Sequence, residues 1–407
     1  MHRLSLALML LSLVACGSDD DDKKTFPTAK AALALANYKA VVNANYTDVV
    51  TGAQALQAAI DAFIAAPSAA TQDAAKKAWV AARLPYGPSE AFRFYDGPID
   101  DPMTGPEGQV NAWPLDENYI DYTASEPNSG IINRPADVPA ITVEAIAKAN
   151  EAAGEKAIST GYHAIEFLLW GQDDPTPGQG SGKRPFTDYL VTGGTAQNQS
   201  RRADYLKAAT QLLVSDLTAV ANQWKPGVPD NFAAKFGVTA SEGNAVETAI
   251  GDLLKSMGSM AKAELSGERM TVAYKSKDQE DEHSCFSDNT SFDLYGNGLG
   301  IQNVWLGRYG TIDGVGLDEV VAEKDATLAT KTTTDIAAAV AKLQALATLQ
   351  QTQNTPLDVV ISSPDGSANR VAMLDAIVAV KAIGDDVERI AVALGLKIEL
   401  EKPSSEL

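Results

Sequence analysis

Leu35, Tyr38, Val42, Tyr46, Val49, Ala53, Leu56, Ile60 and Phe63 recur at intervals of three and four, a spacing that lays one apolar stripe along a helix. Pro67 closes that helix, and a second is expected from about Ser68 to Pro85, carrying Trp79 and Arg83. Nine of the 19 prolines then fall between Pro85 and Pro139, so this stretch reads as turns and short helices. Helical patterning resumes near Thr142 and is expected to run on to Trp170, before a Gly/Pro-rich loop from Gly171 to Pro185. Further helices are expected from Ser200 to Trp224, Ser241 to Leu265, Leu317 to Leu349 and Ala368 to Leu394, around a loop-rich centre from Asp278 to Asp313. No sustained period-two alternation argues for strands.

The fold expected is therefore all-α. The economical arrangement is two side-by-side helical bundles with loop-rich insertions, residues 29–196 and 197–407, with any site in the cleft between them. A weak echo between Trp79-Val80-Ala81-Ala82-Arg83 and Trp305-Leu306-Gly307-Arg308 is consistent with a duplicated bundle.

The first 15 residues change the picture of location. His2 and Arg3 precede an apolar run from Leu4 to Val14 that is too short to span a bilayer, the form of an export signal. Leu13-Val14-Ala15-Cys16 has the form of a lipoprotein cleavage box, with Cys16 as the lipidated residue and residues 16–28 as a polar tether. Gly17 after the cysteine favours the outer membrane in a Gram-negative cell, facing the periplasm or the surface. Lys and Arg number 33 against 53 Asp and Glu, a net charge of −20, which argues against nucleic acid and for attraction of cations. With Cys16 lipidated, Cys285 has no partner and no disulfide framework exists.

Only three histidines are present, and His2 lies in the export signal. His163 and Glu166 sit three apart in Gly161-Tyr162-His163-Ala164-Ile165-Glu166-Phe167-Leu168-Leu169-Trp170-Gly171, and so share a helix face among apolar neighbours. Burying both is costly unless a cation, a ligand or further polar partners satisfy them; alone, the pair is a weak signal that reads first as a hydrogen-bonded surface or core pair. Two other segments are dense in functional side chains. Trp79 to Phe94 holds Arg83, Glu90 and Arg93, and Asp281 to Thr290 holds His283, Ser284, Asp288 and Asn289.

Trp79-x-x-x-Arg83-x-Pro85-Tyr86-Gly87-x-Ser89-Glu90-Ala91-Phe92-Arg93-Phe94, Val110-Asn111-Ala112-Trp113-Pro114-Leu115-Asp116-Glu117, the Gly161-x-His163-x-x-Glu166 segment and Asp281-Glu282-His283-Ser284-x-Phe286-Ser287-Asp288-Asn289 together resemble the imelysin family. The resemblance runs from about Ala31 to Leu394. It implies an all-helical, two-bundle envelope lipoprotein linked to iron acquisition, in a family also filed among metallopeptidases for its Gly-x-His-x-x-Glu motif. The metal implied is iron, or zinc in the peptidase reading, with His163, Glu166 and His283 as ligands. Arg83, Glu90, Arg93, Ser284, Asp288 and Asn289 complete the expected ligand-binding set. This chain carries Ser291 where the family's third motif has histidine, which removes one candidate ligand.

On ligand chemistry, a metal bound without hydrolysis is at least as plausible as proteolysis. A helical zinc hydrolase sets two histidines one turn apart around a glutamate, and the residue four after His163 is Phe167. Arg83 and Arg93 beside a buried carboxylate would grip an anion in two-pronged fashion, which extends the expected ligand to an organic-acid chelate of iron; the alternative is that they pair with Glu90 and Glu166 and hold the two bundles together. The alternatives are a metallopeptidase using the His163 motif, and a structural partner for an outer-membrane or periplasmic uptake protein.

Overall fold

The structure is a computed structural model that describes residues 25–238 and 244–403. Cys16, the export signal at 1–15 and all but the end of the tether lie outside the described residues. The fold is all-α; its strands among the described residues are the two-residue pair Arg308–Tyr309 and Ile312–Asp313.

The apolar stripe of the first helix, Thr28–Ala65, is buried along its length, from Leu35 to Phe63. The next helix, Ala69–Ser89, opens on Ser68, whose hydroxyl caps the Thr71 amide while Thr71 returns the bond, the reciprocal arrangement that satisfies orphan N-terminal amides. This helix does not stop at Pro85; it contains both Pro85 and Pro88. Two asparagine side chains support the disturbed turn. Asn45 Nδ2 donates to the Pro85 carbonyl at 2.9 Å and Asn297 Nδ2 to the Gly87 carbonyl at 3.0 Å.

Three other expectations are corrected. Thr142 to Trp170 is not one helix but Val143–Ala149 and Gly161–Trp170, separated by turns. Leu317 to Leu349 divides into Leu317–Ala322 and Ala326–Gln353, the second capped by Asp325. The expected loop-rich centre contains a 17-residue helix, Thr290–Leu306. Its Gly296, Gly298 and Gly300 each sit at a close contact: a Cβ would fall 3.2 Å from the Gly87 Cα, 2.5 Å from the Leu343 Cδ1 and 2.4 Å from the Pro88 carbonyl oxygen.

The first helix packs on Ala69–Ser89 and on Gln199–Trp224, and the latter also covers Gly161–Trp170. Gln199–Trp224, which the expected boundary at 196/197 assigns to the second bundle, thus packs with the first. Thr290–Leu306, Ala326–Gln353 and Ala368–Leu394 pack in succession, and Ala368–Leu394 also lies on Ala245–Ser259 and its continuation Met260–Thr271. The groups meet where Ala69–Ser89 crosses Thr290–Leu306 at the facing Gly87 and Gly296. One hydrophobic core runs through both, from Ala31 to Leu400. The Trp79 echo carries only in part: Trp79 and Trp305 are both buried, but Arg83 is interior whereas Arg308 pairs with Asp313 in the exposed hairpin.

Candidate functional site

Two glycines fence the His163 helix. Gly161 has φ +84°, and a Cβ there would lie 2.5 Å from the Val110 carbonyl oxygen; Gly171 ends the helix at φ +75°. Both occupy the left-handed region that glycine enters without cost. The first glycine clamps the Val110-Asn111-Ala112-Trp113 loop onto the start of the helix. His163 and Glu166 are both 0% exposed, with His163 Nδ1 2.9 Å from Glu166 Oε2. The other carboxyl oxygen accepts from the Ser287 amide at 2.9 Å and hydroxyl at 2.6 Å. Burial pushes the Glu166 carboxyl up to about 8, against the Ser287 hydroxyl bond. Burial, helped by Arg83 and Arg269, holds the His163 imidazole well below its ordinary value. Its Nε2 has no hydrogen-bond partner.

His283 meets His163 edge to face, with ring centroids 4.6 Å apart; Trp113 lies 5.1 Å from the His163 ring. Asn111 Nδ2 is 3.3 Å from His283 Nε2. Because that amide is a donor, Nε2 accepts and the proton resides on Nδ1. Nδ1 makes no hydrogen bond; the nearest carboxylate oxygen, Oδ2 of Asp293, is 4.0 Å away. Burial, then Arg269 and His163, keep the His283 imidazole far below its ordinary value as well. Two neutral imidazoles therefore face each other, each with one unspent ring nitrogen.

A charged shell surrounds them. Asp293, one turn into its helix, accepts from Arg83 Nε at 3.0 Å, Asn289 at 3.1 Å and the Ser284 hydroxyl at 2.5 Å. Arg83 also donates to Asn111 Oδ1 at 2.5 Å and lies 5.0 Å over the rings of Tyr86 and Tyr162. Glu90 accepts from Arg269 and pairs with Arg93 at 3.5 Å. Burial raises the Glu90 carboxyl, but Arg269, Arg93 and Arg83 together draw it down to about 2. Arg269 is carried on Met260–Thr271, a run of π-type turns, a geometry that recurs at functional sites; it also pairs with Glu264 and Asn297. Arg93 is shared with Glu107 at 3.2 Å and Glu264 at 3.8 Å.

A cavity of about 370 Å³ opens onto His283, Asn111 and Trp113. Glu107, Glu151, Glu264, Glu268 and Asp281 line it against two cations, Arg93 and Arg269, so its walls are net acidic.

Of the expected residues, His163, Glu166, His283, Arg83, Glu90, Arg93, Ser284 and Asn289 join one network. Asp288 does not: it has φ +59°, and its carboxyl faces Asp358 and the Ser181 amide, where burial holds it up at about 7. The expected anion grip is also corrected, because Arg83 and Arg93 are paired with Asp293, Glu90, Glu107 and Glu264 of the chain itself. Among the described residues no group of three or more His, Cys, Asp or Glu side chains is arranged to hold a metal ion. His163 and Glu166 turn their facing atoms on each other, and the trio expected as metal ligands does not close into a cage. Ser291 is fully buried with its hydroxyl unpartnered. Arg269 and Asp293 went unread in the sequence, as did Asn111 and Trp113, whose motif was visible but whose roles were not.

The family model described as Imelysin (Peptidase M75) matches residues 42–383. The iron-regulated protein A of Synechococcus elongatus is 26% identical over 352 residues, spanning 86% of this chain and 82% of the relative. A solved structure assigned as an iron-regulated protein A precursor from Parabacteroides distasonis superposes with TM-score 0.63 at 20% identity, covering 89% of this chain and 96% of that one. An imelysin-like protein from Psychrobacter arcticum gives TM-score 0.58 at 13% identity over 95% and 100% of the two chains.

Proposed function

The chain belongs to the imelysin family, and on that premise we propose that it is a binding protein of iron handling, taking iron with part of its own ligand shell still attached at the acidic cavity over His283. The observation that carries this reading is the pair of buried imidazoles in edge contact behind that cavity: His163 Nε2 has no partner, and the lone pair of His283 Nε2 faces only the Asn111 amide at 3.3 Å, a contact that a metal ion would displace. A buried polar atom without a partner costs roughly 1–3 kcal/mol, and a ligand that engages it recovers that cost. Histidine nitrogen beside carboxylate oxygen suits iron about as well as zinc, and the acidic walls attract a cation. A relative's name, iron-regulated protein A, points the same way.

A resident zinc held by three protein ligands does not fit this donor set. Cargo that arrives as a hydrated or chelated ion needs only one or two protein donors and does fit. The rival reading, a metallopeptidase, draws on the Glu166 carboxyl held at about 8, within range for a general base. Against it, both Glu166 oxygens are engaged, one by His163 and the other by Ser287.

Calorimetric titration of the purified chain with ferrous iron, ferric citrate and zinc tests the proposal. Saturable iron binding that weakens more than tenfold (~1.4 kcal/mol) in His283→Ala and in His163→Ala is expected, with no cleavage of a denatured protein substrate. Cleavage abolished by a chelator, restored by metal and lost in Glu166→Gln would put the peptidase first. We also propose, from the sequence alone, that Cys16 is lipidated and tethers the chain to the outer membrane, where an uptake partner receives the cargo. Cys16→Ala should move the protein from the membrane to the soluble fraction; unchanged membrane association would refute the anchor.

A further inference from the structure

A second cavity, of about 730 Å³, shares no residue with the first and has the opposite character. One wall is the first helix, through Ala36, Ala40 and Ala44; the other is Trp224, Pro226 and Val228, at the end of Gln199–Trp224 and the loop beyond. Its volume lies within the ~300–1,000 Å³ of small-molecule sites. The three alanines lie on the outward-facing side of this alanine-rich helix, and their short side chains leave an open hollow between the helix and the loop.

The opposing loop is held in shape rather than collapsed into that space. Asn231 Nδ2 donates to the carbonyls of Asn222 at 3.1 Å and Lys225 at 2.8 Å, while its Oδ1 caps the Ala234 amide at 3.0 Å. Gly227, at φ +74°, supplies the left-handed turn the loop requires. Trp224 is fixed from behind by Tyr38, Phe232 and Phe236 at centroid distances of 5.0–5.9 Å. Val228 nonetheless remains 37% exposed, so apolar surface faces the open side of the cavity.

Lys39 and Lys225 also line it. In a chain with 53 acidic residues against 33 basic ones, neither lysine pairs with a carboxylate of the described residues. Lys39 is partly buried and desolvation alone pulls its ammonium down. Two ammonium groups without counter-ions beside an apolar hollow form a complementary pair of features: one end for an anion, the rest for hydrocarbon. We infer that this cavity binds a free amphipathic carboxylate, with its acyl chain between the first helix and the Trp224 loop and its head group between Lys39 and Lys225.

The test is calorimetric titration of the purified chain with dodecanoate below its micellar range, with dodecanol and with butyrate. One-to-one saturable binding of dodecanoate is expected, with butyrate at least a hundredfold weaker. Lys39→Gln/Lys225→Gln should weaken dodecanoate at least tenfold and change dodecanol less than twofold, with iron binding unaltered. Ala40→Trp should abolish binding of both long-chain ligands. Both lysines reach solvent, so the double variant reads the head-group site even where Ala40→Trp fails to fold. Dodecanoate that does not saturate, a double-lysine variant that binds it unchanged, or binding confined to vesicles of anionic phospholipid would each overturn the inference.

Discussion

Two buried charge networks use the same side-chain chemistry to opposite ends. In the first, Asp121 is 0% exposed and both its oxygens are doubly engaged: Oδ2 accepts from Arg202 Nε at 2.6 Å and Arg184 at 2.7 Å, Oδ1 from Arg202 at 2.9 Å and Asn133 at 3.1 Å. Arg202 goes on to the Asp188 and Gln197 carbonyls, and Tyr122 donates to Asp188. One atom of this clamp, Arg184 Nε, lacks a partner. In the second network, around His163 and His283, the gaps are His163 Nε2, His283 Nδ1, Arg93 Nε and the hydroxyls of Tyr86, Tyr162 and Ser291. A nearly completed network fixes loops onto helices. The second leaves polar atoms of several neighbouring residues without a protein partner.

The comparison breaks most visibly at Asp121. Asp121→Ala strands two guanidinium groups in the interior and should cost ~3–5 kcal/mol, read as a lower urea midpoint. A loss below ~1 kcal/mol would mean that the clamp is not structural. The next effect is in pH. The Glu166 carboxyl is raised to about 8 by burial, so its proton favours the folded state. That contribution is complete below the ordinary carboxyl range and is lost as pH rises through about 8, with a slope of at most ~1.4 kcal/mol per pH unit. Relative to wild type, Glu166→Gln should therefore gain stability steadily from about pH 5 to 8; parallel pH profiles would contradict the assignment. Smaller again is the helix crossing that carries the open network. A Cβ on Gly87 would lie 3.1 Å from the Gly296 Cα, and Gly87→Ala should cost ~1–3 kcal/mol by overpacking. An unchanged melting temperature would show that the crossing has slack.

The legible part of this molecule is the part whose periodicity and chemistry agree. The stripe from Leu35 to Phe63 is present as read, and so is the helical, buried His163 face, although its helix starts at Gly161 rather than near Thr142, because local pattern and burial demand the same thing. Thr290–Leu306 lies within the stretch expected to be loop-rich; glycine disfavours a helix in isolation, and here Gly296, Gly298 and Gly300 allow close approach to Gly87, Leu343 and Pro88, which no local pattern records. Pro85 was read as a stop, and Asn45 and Asn297, distant in sequence, make it tolerable. Arg269 and Asp293 were missed for the same reason. Arg269 falls beyond the expected end of its helix at Leu265 and Asp293 within the stretch expected as loop, and only the packing of the observed helices brings them to Glu90 and Arg83. The Asp121 clamp joins residues 63 and 81 positions apart, beyond any motif.

If the open network takes a ligand while the completed one holds the fold, ligand-induced stabilisation separates the two. With iron supplied at about one hundred times its dissociation constant, a bound site adds ~2.7 kcal/mol. Wild type and Asp121→Asn should both gain that increment on thermal unfolding, the latter from a lower starting point. His163→Gln and His283→Gln should start near wild type and gain nothing. An increment that survives in the two histidine variants, or disappears in Asp121→Asn, would contradict the account.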